Sequence, residues 1–318
     1  MDYTNNTVTY TYKDDDISEN FYFFNVLKDG RVHVLAPDTP DAVKIPPSDD
    51  VTTGVKIKDI SINDDVSARV FLPPSRDGGG EKVPVFLYVH GGAFCMGSAF
   101  SVEYTRFLST ISKECGVISV SVEYGLFPTR LIPACYEDCW FALQWLASHG
   151  DLNFNEGQDP WIKDHADLTR IFVGGDSAGG NICHTLATRA GKLALPGRAK
   201  VEGMILIHPY FHENDRIWLY MCPTNDGPQD PRMKPAAEDL ANLGCDRVLV
   251  FIGEKDFLRD AGKMYVKELS KSGWKGSVEL MENLDKEHCF YLGNYLDEEA
   301  IAINERIKLF IRRGKANM

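Results

Sequence analysis

The chain has 318 residues, of which 44% are hydrophobic and 11% aromatic, and its formal net charge at neutral pH is −12. This composition excludes a disordered chain, because it supplies enough apolar surface for a full hydrophobic core. The acidic balance argues against a nucleic-acid partner, since a phosphate backbone needs a basic protein face. No apolar run approaches the roughly 20 residues of a membrane-spanning helix, so we expect no membrane segment.

The N-terminus and the cysteines together indicate the compartment. The first residues, MDYTNNTVTYTYKDDD, have neither the basic nor the apolar region of a signal peptide. The eight cysteines show no paired spacing, which is typical of free buried thiols in a reducing compartment. We therefore expect a cytoplasmic protein. Cys135 and Cys139 lie on one predicted helix without a neighbouring histidine, so we interpret them as packing residues and not as metal ligands.

Predicted strands and helices alternate along most of the chain. Val55–Leu72 alternates apolar and polar residues and predicts an antiparallel hairpin. Further strands are predicted at Val83–Val89, Val117–Val122, Arg170–Val173, Gly203–Ile207, Val248–Ile252 and Val278–Met281. Helical spacing is present in Ala134–Ser148, Asn181–Lys192, Ala261–Ser272 and Glu298–Arg312. Because most of these strands are apolar on both faces, we predict an α/β fold with a mainly parallel central sheet flanked by helices.

The strongest catalytic signal follows the predicted strand Arg170–Val173. The segment Gly175–Gly179, GDSAG, fits the pattern G-x-S-x-G and lies directly before a predicted helix. In that context the pattern predicts a sharp strand-to-helix turn that exposes a nucleophilic serine, here Ser177. The N-terminus of the following helix favours negative charge at this position.

A glycine-containing loop follows the predicted strand Val83–Val89. Its sequence, His90–Phe94 (HGGAF), resembles the HGGG-type loop that completes the oxyanion hole of lipases and esterases. We predict that the backbone N–H groups of Gly91, Gly92 and Ala178 bind a tetrahedral oxyanion, with Ala93 close by.

A nucleophilic serine needs a base and an acid that orients the base, in the chain order Ser, Asp, His. Asp256 lies just past the end of the strand Val248–Ile252, and Glu254 and Asp260 are its rivals. His288 follows the last predicted strand. Because the carboxyl ends of parallel strands meet at one edge of a sheet, we predict that Ser177, Asp256 and His288 form a catalytic triad.

Together these motifs resemble the plant carboxylesterase family, a branch of the hormone-sensitive-lipase-like α/β-hydrolases. Further matching stretches are Lys28–Arg31, Ser121–Tyr124, Pro133–Trp140, His208–Phe211 and Ser272–Gly276, so that the resemblance covers nearly the whole chain. The resemblance implies an α/β-hydrolase fold, serine-esterase activity and a small cap formed partly by an N-terminal arm. It also implies the same triad of Ser177, Asp256 and His288.

Two departures from the family pattern concern the substrate pocket. This chain has Gly125 where relatives carry an arginine that braces a loop. Between His208–Phe211 and Trp218 only His212–Ile217 remain, whereas relatives carry a longer insert that contributes to the cap and the pocket. We therefore expect a pocket of different shape and a specialised substrate. The aromatic cluster Phe21–Phe24 either lines the substrate entrance or docks the arm onto the body.

The leading hypothesis is a serine carboxylester hydrolase that acts on a small-molecule ester through an acyl-enzyme intermediate, with no metal and no organic cofactor. A first alternative is a lyase of specialised metabolism, a dehydratase or a cyclase, in which His288 acts as the base. A second alternative is a non-catalytic small-molecule receptor; such relatives lose the triad histidine, whereas His288 is present here.

We expect a single domain over residues 1–318. The proline-rich stretch Ala36–Thr52 separates an N-terminal arm, residues 1–50, from a catalytic body, residues 51–318. We expect the arm to contribute to the cap. The sequence makes no prediction about the oligomeric state.

Overall fold

The computed structural model describes residues 13, 16–35, 43–74, 81–151, 157–212 and 215–313. Parts of the predicted arm and of the segment His212–Ile217 lie outside these residues. The described part of the arm forms a small antiparallel sheet of strands β1 (Ile17–Asn20), β2 (Phe24–Leu27) and β3 (Val32–Val34).

The central sheet of the described chain has eight strands. They are β4 (Lys56–Ser61), β5 (Ser67–Leu72), β6 (Val83–Val89), β7 (Ile118–Glu123), β8 (Ala166–Asp176), β9 (Val201–Ile207), β10 (Arg247–Gly253) and β11 (Ser277–Asn283). Their spatial order is β11-β10-β9-β8-β6-β7-β5-β4. β4 and β5 form the predicted antiparallel hairpin, and the six strands from β6 onward run parallel to their neighbours among themselves. The prediction of a mainly parallel sheet is confirmed.

Helices cover both faces of this sheet. They are α1 (Val102–Cys115), α2 (Ala134–Ser148), α3 (Pro160–His165), α4 (Ala178–Lys192), α5 (Arg216–Met221), α6 (Ala237–Ala241), α7 (Arg259–Lys271), α8 (Phe290–Gly293) and α9 (Glu298–Arg312). Side chains alternate along each strand between the two faces. As a result, one buried cluster packs α2, α4 and α7 against the sheet, and a second cluster packs α1, α8 and α9 against the other face.

The arm packs against α5 and the loop before α2. The Phe21 ring lies 5.1 Å from that of Tyr220, and the Phe24 ring lies 5.1 Å from that of Phe127. Phe21 and Phe24 are buried, whereas Tyr22 is 83% exposed. For Phe21 and Phe24 the contacts favour the interpretation that the cluster docks the arm onto the body.

Two sequence expectations concern membranes and disulfides. No helix in the described ranges combines the length and the apolar character that crossing a membrane requires. All eight cysteines lie in the described part of the chain and are free, and seven of them are buried. They include Cys135 and Cys139, which lie on the buried side of α2 and pack in the core.

Candidate active site

The predicted nucleophile lies at a sharp turn between a strand and a helix. β8 ends at Asp176 and α4 begins at Ala178, so Ser177 alone connects them. Its backbone has φ 50° and ψ −118°, a conformation that residues other than glycine rarely adopt. The turn is fixed by two hydrogen bonds of 2.9 Å, from Ser177 N–H to the carbonyl of Ile207 and from Tyr210 N–H to the carbonyl of Ser177.

The predicted base and acid contact each other. His288 Nδ1 lies 2.8 Å from Asp256 Oδ2, and the two residues follow the neighbouring parallel strands β11 and β10. Burial acts to raise the pKa of Asp256, but the hydrogen bonds from His288 and from Leu258 N–H outweigh it, and the pKa is lowered. The lowered pKa favours the carboxylate form of Asp256, which contacts the His288 ring through Nδ1 and leaves Nε2 outside this contact.

The two rival acids have different surroundings. Glu254 is exposed and accepts the backbone N–H of Asp285 at 2.8 Å. Asp260 is exposed in the first turn of α7. Among the described residues, Asp256 is the carboxylate that contacts the His288 ring.

A second histidine, His208, packs against this pair, and the sequence analysis gave it no role. Its Nδ1 accepts the backbone N–H of Cys289 at 2.8 Å and lies 3.3 Å from Asp256 Oδ2. Burial lowers the pKa of His208 to about 4, so the ring is neutral at physiological pH and its Nδ1 remains an acceptor. The one signal in the sequence is its position directly after β9, at the same edge of the sheet.

Three side chains at the predicted triad place possible metal-ligand atoms close together. In the described ranges, the nitrogen and sulfur atoms of His208, His288 and Cys289 lie within 4.8 Å of one another. Each side chain is already engaged, because the two rings contact Asp256 and Cys289 Sγ lies 3.6 Å from Asp176 Oδ2. Burial also raises the pKa of the Cys289 thiol well above its usual value, and metals bind the thiolate. We therefore assign these contacts to the support of His288.

The loop His90–Phe94 differs from the prediction in one donor. Gly91 N–H points inward, where it donates to Tyr104 Oη at 3.0 Å and to Asp176 Oδ1 at 3.1 Å. Because this N–H is already bonded, it does not serve an oxyanion, and the expectation for Gly91 is corrected. The next residues turn sharply, with φ 102° at Gly92 and φ 50° at Ala93.

The structure also shows what replaces the missing loop arginine at Gly125. A Cβ at Gly125 would lie 2.3 Å from Cδ of Arg130, so the glycine leaves room for that side chain. Arg130 binds Asp138 of α2 at 2.9 Å, and the same carboxylate accepts Gly125 N–H at 2.9 Å. An arginine five positions later therefore braces this loop.

The short segment after β9 opens onto a large cavity. Phe211 and His212 line a cavity of about 850 Å³ together with Met233, Met264 and Tyr265. Ser177 is not among the described residues that line it. Phe211 directly follows Tyr210, whose backbone N–H is bonded to the carbonyl of Ser177.

The chain matches a known protein family over more than half of its length. A sequence model of the α/β-hydrolase fold matches residues 86–218 and 212–292. The two matches overlap at residues 212–218. This overlap contains the segment His212–Ile217, which is expected to be shorter than in relatives.

Two plant proteins and one archaeal structure resemble most of the chain. The 2-hydroxyisoflavanone dehydratase of Glycyrrhiza echinata is 38% identical over 310 residues, which cover 90% of this chain and 93% of that protein. Probable carboxylesterase 1 of Arabidopsis thaliana is 37% identical over 309 residues, or 91% of this chain and 95% of that protein. The esterase of Pyrobaculum calidifontis superposes with a TM-score of 0.64 and 26% identity, over 81% of this chain and 85% of that one.

Proposed function

Since this chain belongs to the α/β-hydrolase fold family and is similar to plant carboxylesterases, we propose that it is a serine carboxylester hydrolase acting on a small-molecule ester. The observation that carries the proposal is the 2.8 Å contact between His288 Nδ1 and Asp256 Oδ2, at the same sheet edge as the strained turn of Ser177. These three groups supply a nucleophile, a base and an acid that orients the base.

In the proposed reaction, Ser177 Oγ attacks the ester carbonyl carbon while His288 Nε2 takes the hydroxyl proton. The tetrahedral intermediate then collapses, its bond to the alkoxy oxygen breaks, and His288 returns the proton to the leaving alcohol. Water attacks the acyl-enzyme by the same route and releases the acid and the free serine. Asp256 keeps the imidazole in the required tautomer throughout and stabilises its charged form.

For the oxyanion, we propose the backbone N–H groups of Gly92, Ala93 and Ala178. We leave out Gly91 because its N–H is bonded to Tyr104 and Asp176, and Gly92 and Ala93 carry the next two N–H groups along the same loop. Ala178 is the first residue of α4, where the N–H groups of the helix have no partner within it. Preorganised donors of this kind contribute a large part of the rate in acyl transfer.

A second candidate is a lyase that uses the same pocket, and the 38% identity to a dehydratase is the observation that favours it. In such a reaction His288 would remove a proton from carbon, the oxyanion donors would hold the enolate, and a leaving group would depart from the neighbouring carbon. Ser177 would have no covalent role. The arrangement of Ser177 at a strained turn favours the hydrolase.

We further propose a single domain with an N-terminal arm, residues 1–50, that contributes to the cap. The contacts of Phe21 and Phe24 with α5 and Phe127 support this organisation. We propose no nucleic-acid or membrane partner and a cytoplasmic location, on the grounds of the acidic composition and the scattered cysteines.

The decisive experiment is Ser177→Ala, assayed with p-nitrophenyl acetate and butyrate and with a fluorophosphonate label. We expect ester turnover and labelling to be lost, because no other group takes over the covalent step. The fold is expected to remain intact, since the change removes a single oxygen. Circular dichroism and thermal unfolding check the fold, and peptide mapping of the labelled protein locates the modified residue.

Two results would contradict the proposal. A labelled peptide outside Gly174–Asn181 would show that the nucleophile is another residue. A natural substrate that Ser177→Ala converts at a near-normal rate would show that the lyase is the physiological function. Burst kinetics that are lost in both Ser177→Ala and His288→Ala would support the hydrolase.

A further inference from the structure

Asp176 lies next to the nucleophile, and the proposed mechanism does not use it. Its carboxylate is buried, with the residue 1% exposed. Four donors surround it. Oδ1 is contacted by Tyr88 Oη at 2.7 Å and Gly91 N at 3.1 Å, and Oδ2 by Tyr104 Oη at 3.0 Å and Cys289 Sγ at 3.6 Å.

Two of the four donors, Gly91 and Cys289, belong to separate loops of the site, while Tyr88 lies in β6 and Tyr104 in α1. Gly91 begins the loop that carries the proposed oxyanion donors. Cys289 directly follows the proposed base, and its backbone N–H is bonded to His208 at 2.8 Å. Asp176 itself ends β8 directly before the nucleophile turn. One carboxylate therefore contacts the nucleophile turn, the oxyanion loop and the histidine loop.

The packing around this carboxylate leaves little freedom. A Cβ on Gly91 would lie 2.3 Å from Asp176 Oδ2, so the loop can approach only because this residue is glycine. Cys289 has φ 50°, a left-handed conformation that turns its thiol toward the carboxylate. Because the group is buried, water does not replace a lost donor without a free-energy cost.

We propose that Asp176 is a positioning residue that holds the nucleophile turn, the oxyanion loop and the histidine loop in register, and that Cys289 is its contact to the histidine loop. The inference rests on the proposed function, since alignment is measured through ester hydrolysis. An aspartate suits the role because its two oxygens accept from all four donors. An asparagine of the same size has one acceptor oxygen and an amide that repels a neighbouring N–H.

The test is Asp176→Asn, with p-nitrophenyl butyrate as substrate and active sites counted by fluorophosphonate titration. We expect kcat per active site to fall about 100-fold with KM within threefold, because oxyanion donors that are misplaced act mainly on the transition state. Cys289→Ala is expected to lower kcat about fivefold, since one of the four donors is lost. Cys289→Ser restores the rate, because its hydroxyl also donates.

Tyr291→Phe is the matched control. Tyr291 Oη contacts Tyr88 Oη at 3.0 Å, one bond further out than the donors of Asp176. Its loss removes a buried hydrogen bond but none of the contacts to the three loops, so we expect lower stability and kcat within twofold of the parent. A second readout is the low-field NMR resonance of the proton between His288 and Asp256. It is expected to shift in Asp176→Asn and Cys289→Ala but not in Tyr291→Phe.

The outcomes separate the two proposals. If Asp176→Asn and Tyr291→Phe lower kcat equally, or if the NMR resonance stays in place in Asp176→Asn, the network merely supports the fold and the positioning role is wrong. Parent protein that shows neither ester turnover nor labelling would instead contradict the proposed function. The NMR shift then still tests whether Asp176 positions His288.

Discussion

Glu254, Asp256 and Asp260 carry the same functional group, and their surroundings give them different chemistry. Asp256 is buried against the His288 ring, whereas Glu254 and Asp260 face solvent. A buried carboxylate without its hydrogen-bond partner has a high free-energy cost, whereas water solvates an exposed carboxylate. A substitution at Asp256 is therefore expected to disturb the His288 ring. Substitutions at Glu254 and Asp260 are expected to change only surface contacts.

We predict that Asp256→Asn lowers kcat for a p-nitrophenyl ester by about 10⁴, because the amide favours the wrong tautomer of the base. Asp260→Asn and Glu254→Gln are matched controls that make the same chemical change and should stay within fivefold of the parent. Steady-state kinetics on the three variants measure the difference. A larger loss in Glu254→Gln than in Asp256→Asn would show that the acid is misassigned.

Sequence reasoning reached some residues of the site and not others. Ser177, Asp256 and His288 follow strands that a local apolar run predicts, so their placement at one sheet edge follows from topology. The inward N–H of Gly91 depends on the side chain of Asp176, which lies 85 positions away in the chain. No local pattern contains that contact. The contacts of His208 with Asp256 and with Cys289 N–H also join distant parts of the chain, so no local pattern predicts them.

At the scale of elements, the loop before α2 depends on an arginine–aspartate pair. Arg130 binds Asp138, its other guanidinium nitrogen lies 2.8 Å from Asp65, and Gly125 gives it space. Burial acts to raise the pKa of Asp138 above its usual value, with the bonds from Gly125 and Arg130 opposing it. The buried Asp138 carboxylate keeps its hydrogen-bond donors while Arg130 stays in place.

Gly125→Ala is expected to lower the free energy of unfolding by about 1–3 kcal/mol, because the added methyl overlaps Arg130 and forces it to move. Gly293→Ala is the matched control. A Cβ there meets nothing within 4 Å, so we expect no loss of stability. Urea unfolding of both variants gives the two values. Equal effects at the two positions would mean that Arg130 does not need the space at Gly125.

The elements themselves were predicted with uneven success. The bounds of β6, α2 and α9 agree with the sequence prediction residue for residue, since each has a clear apolar pattern. β8 begins four residues before the predicted strand, where polar side chains interrupt the run. α1 and the strands β1–β3 were not predicted. β1–β3 have at most four residues each, which is too short for an alternation to be recognised.

For the whole molecule, burial of histidines couples folding to pH. Burial lowers the pKa of His184 to about 4 and that of His208 to about 4. In the unfolded chain a histidine titrates near pH 6.5. Between about pH 6.5 and 4 the unfolded chain therefore binds protons that the native protein does not, and the free energy of unfolding falls as the pH falls.

We predict that each buried histidine contributes a slope of up to about 1.4 kcal/mol per pH unit in this range. His184→Gln removes one such group, so the variant loses stability at pH 7 and shows a shallower slope. His165→Gln, at an exposed position on α3, is the matched control and should keep the parent slope. Urea unfolding between pH 4.5 and 7 measures all three. An unchanged slope in His184→Gln would contradict the prediction.

The space that Gly125 leaves to Arg130 makes the effect of a substitution at one of these positions depend on the residue at the other. An arginine at position 125 would occupy the volume that the Arg130 side chain now fills. An arginine at position 125 of this chain is thus unfavourable unless position 130 is made small first. The effect of an arginine at position 125 therefore depends on whether the side chain at position 130 is large or small. Sequence comparison at position 125 alone would therefore misjudge which residue this loop tolerates.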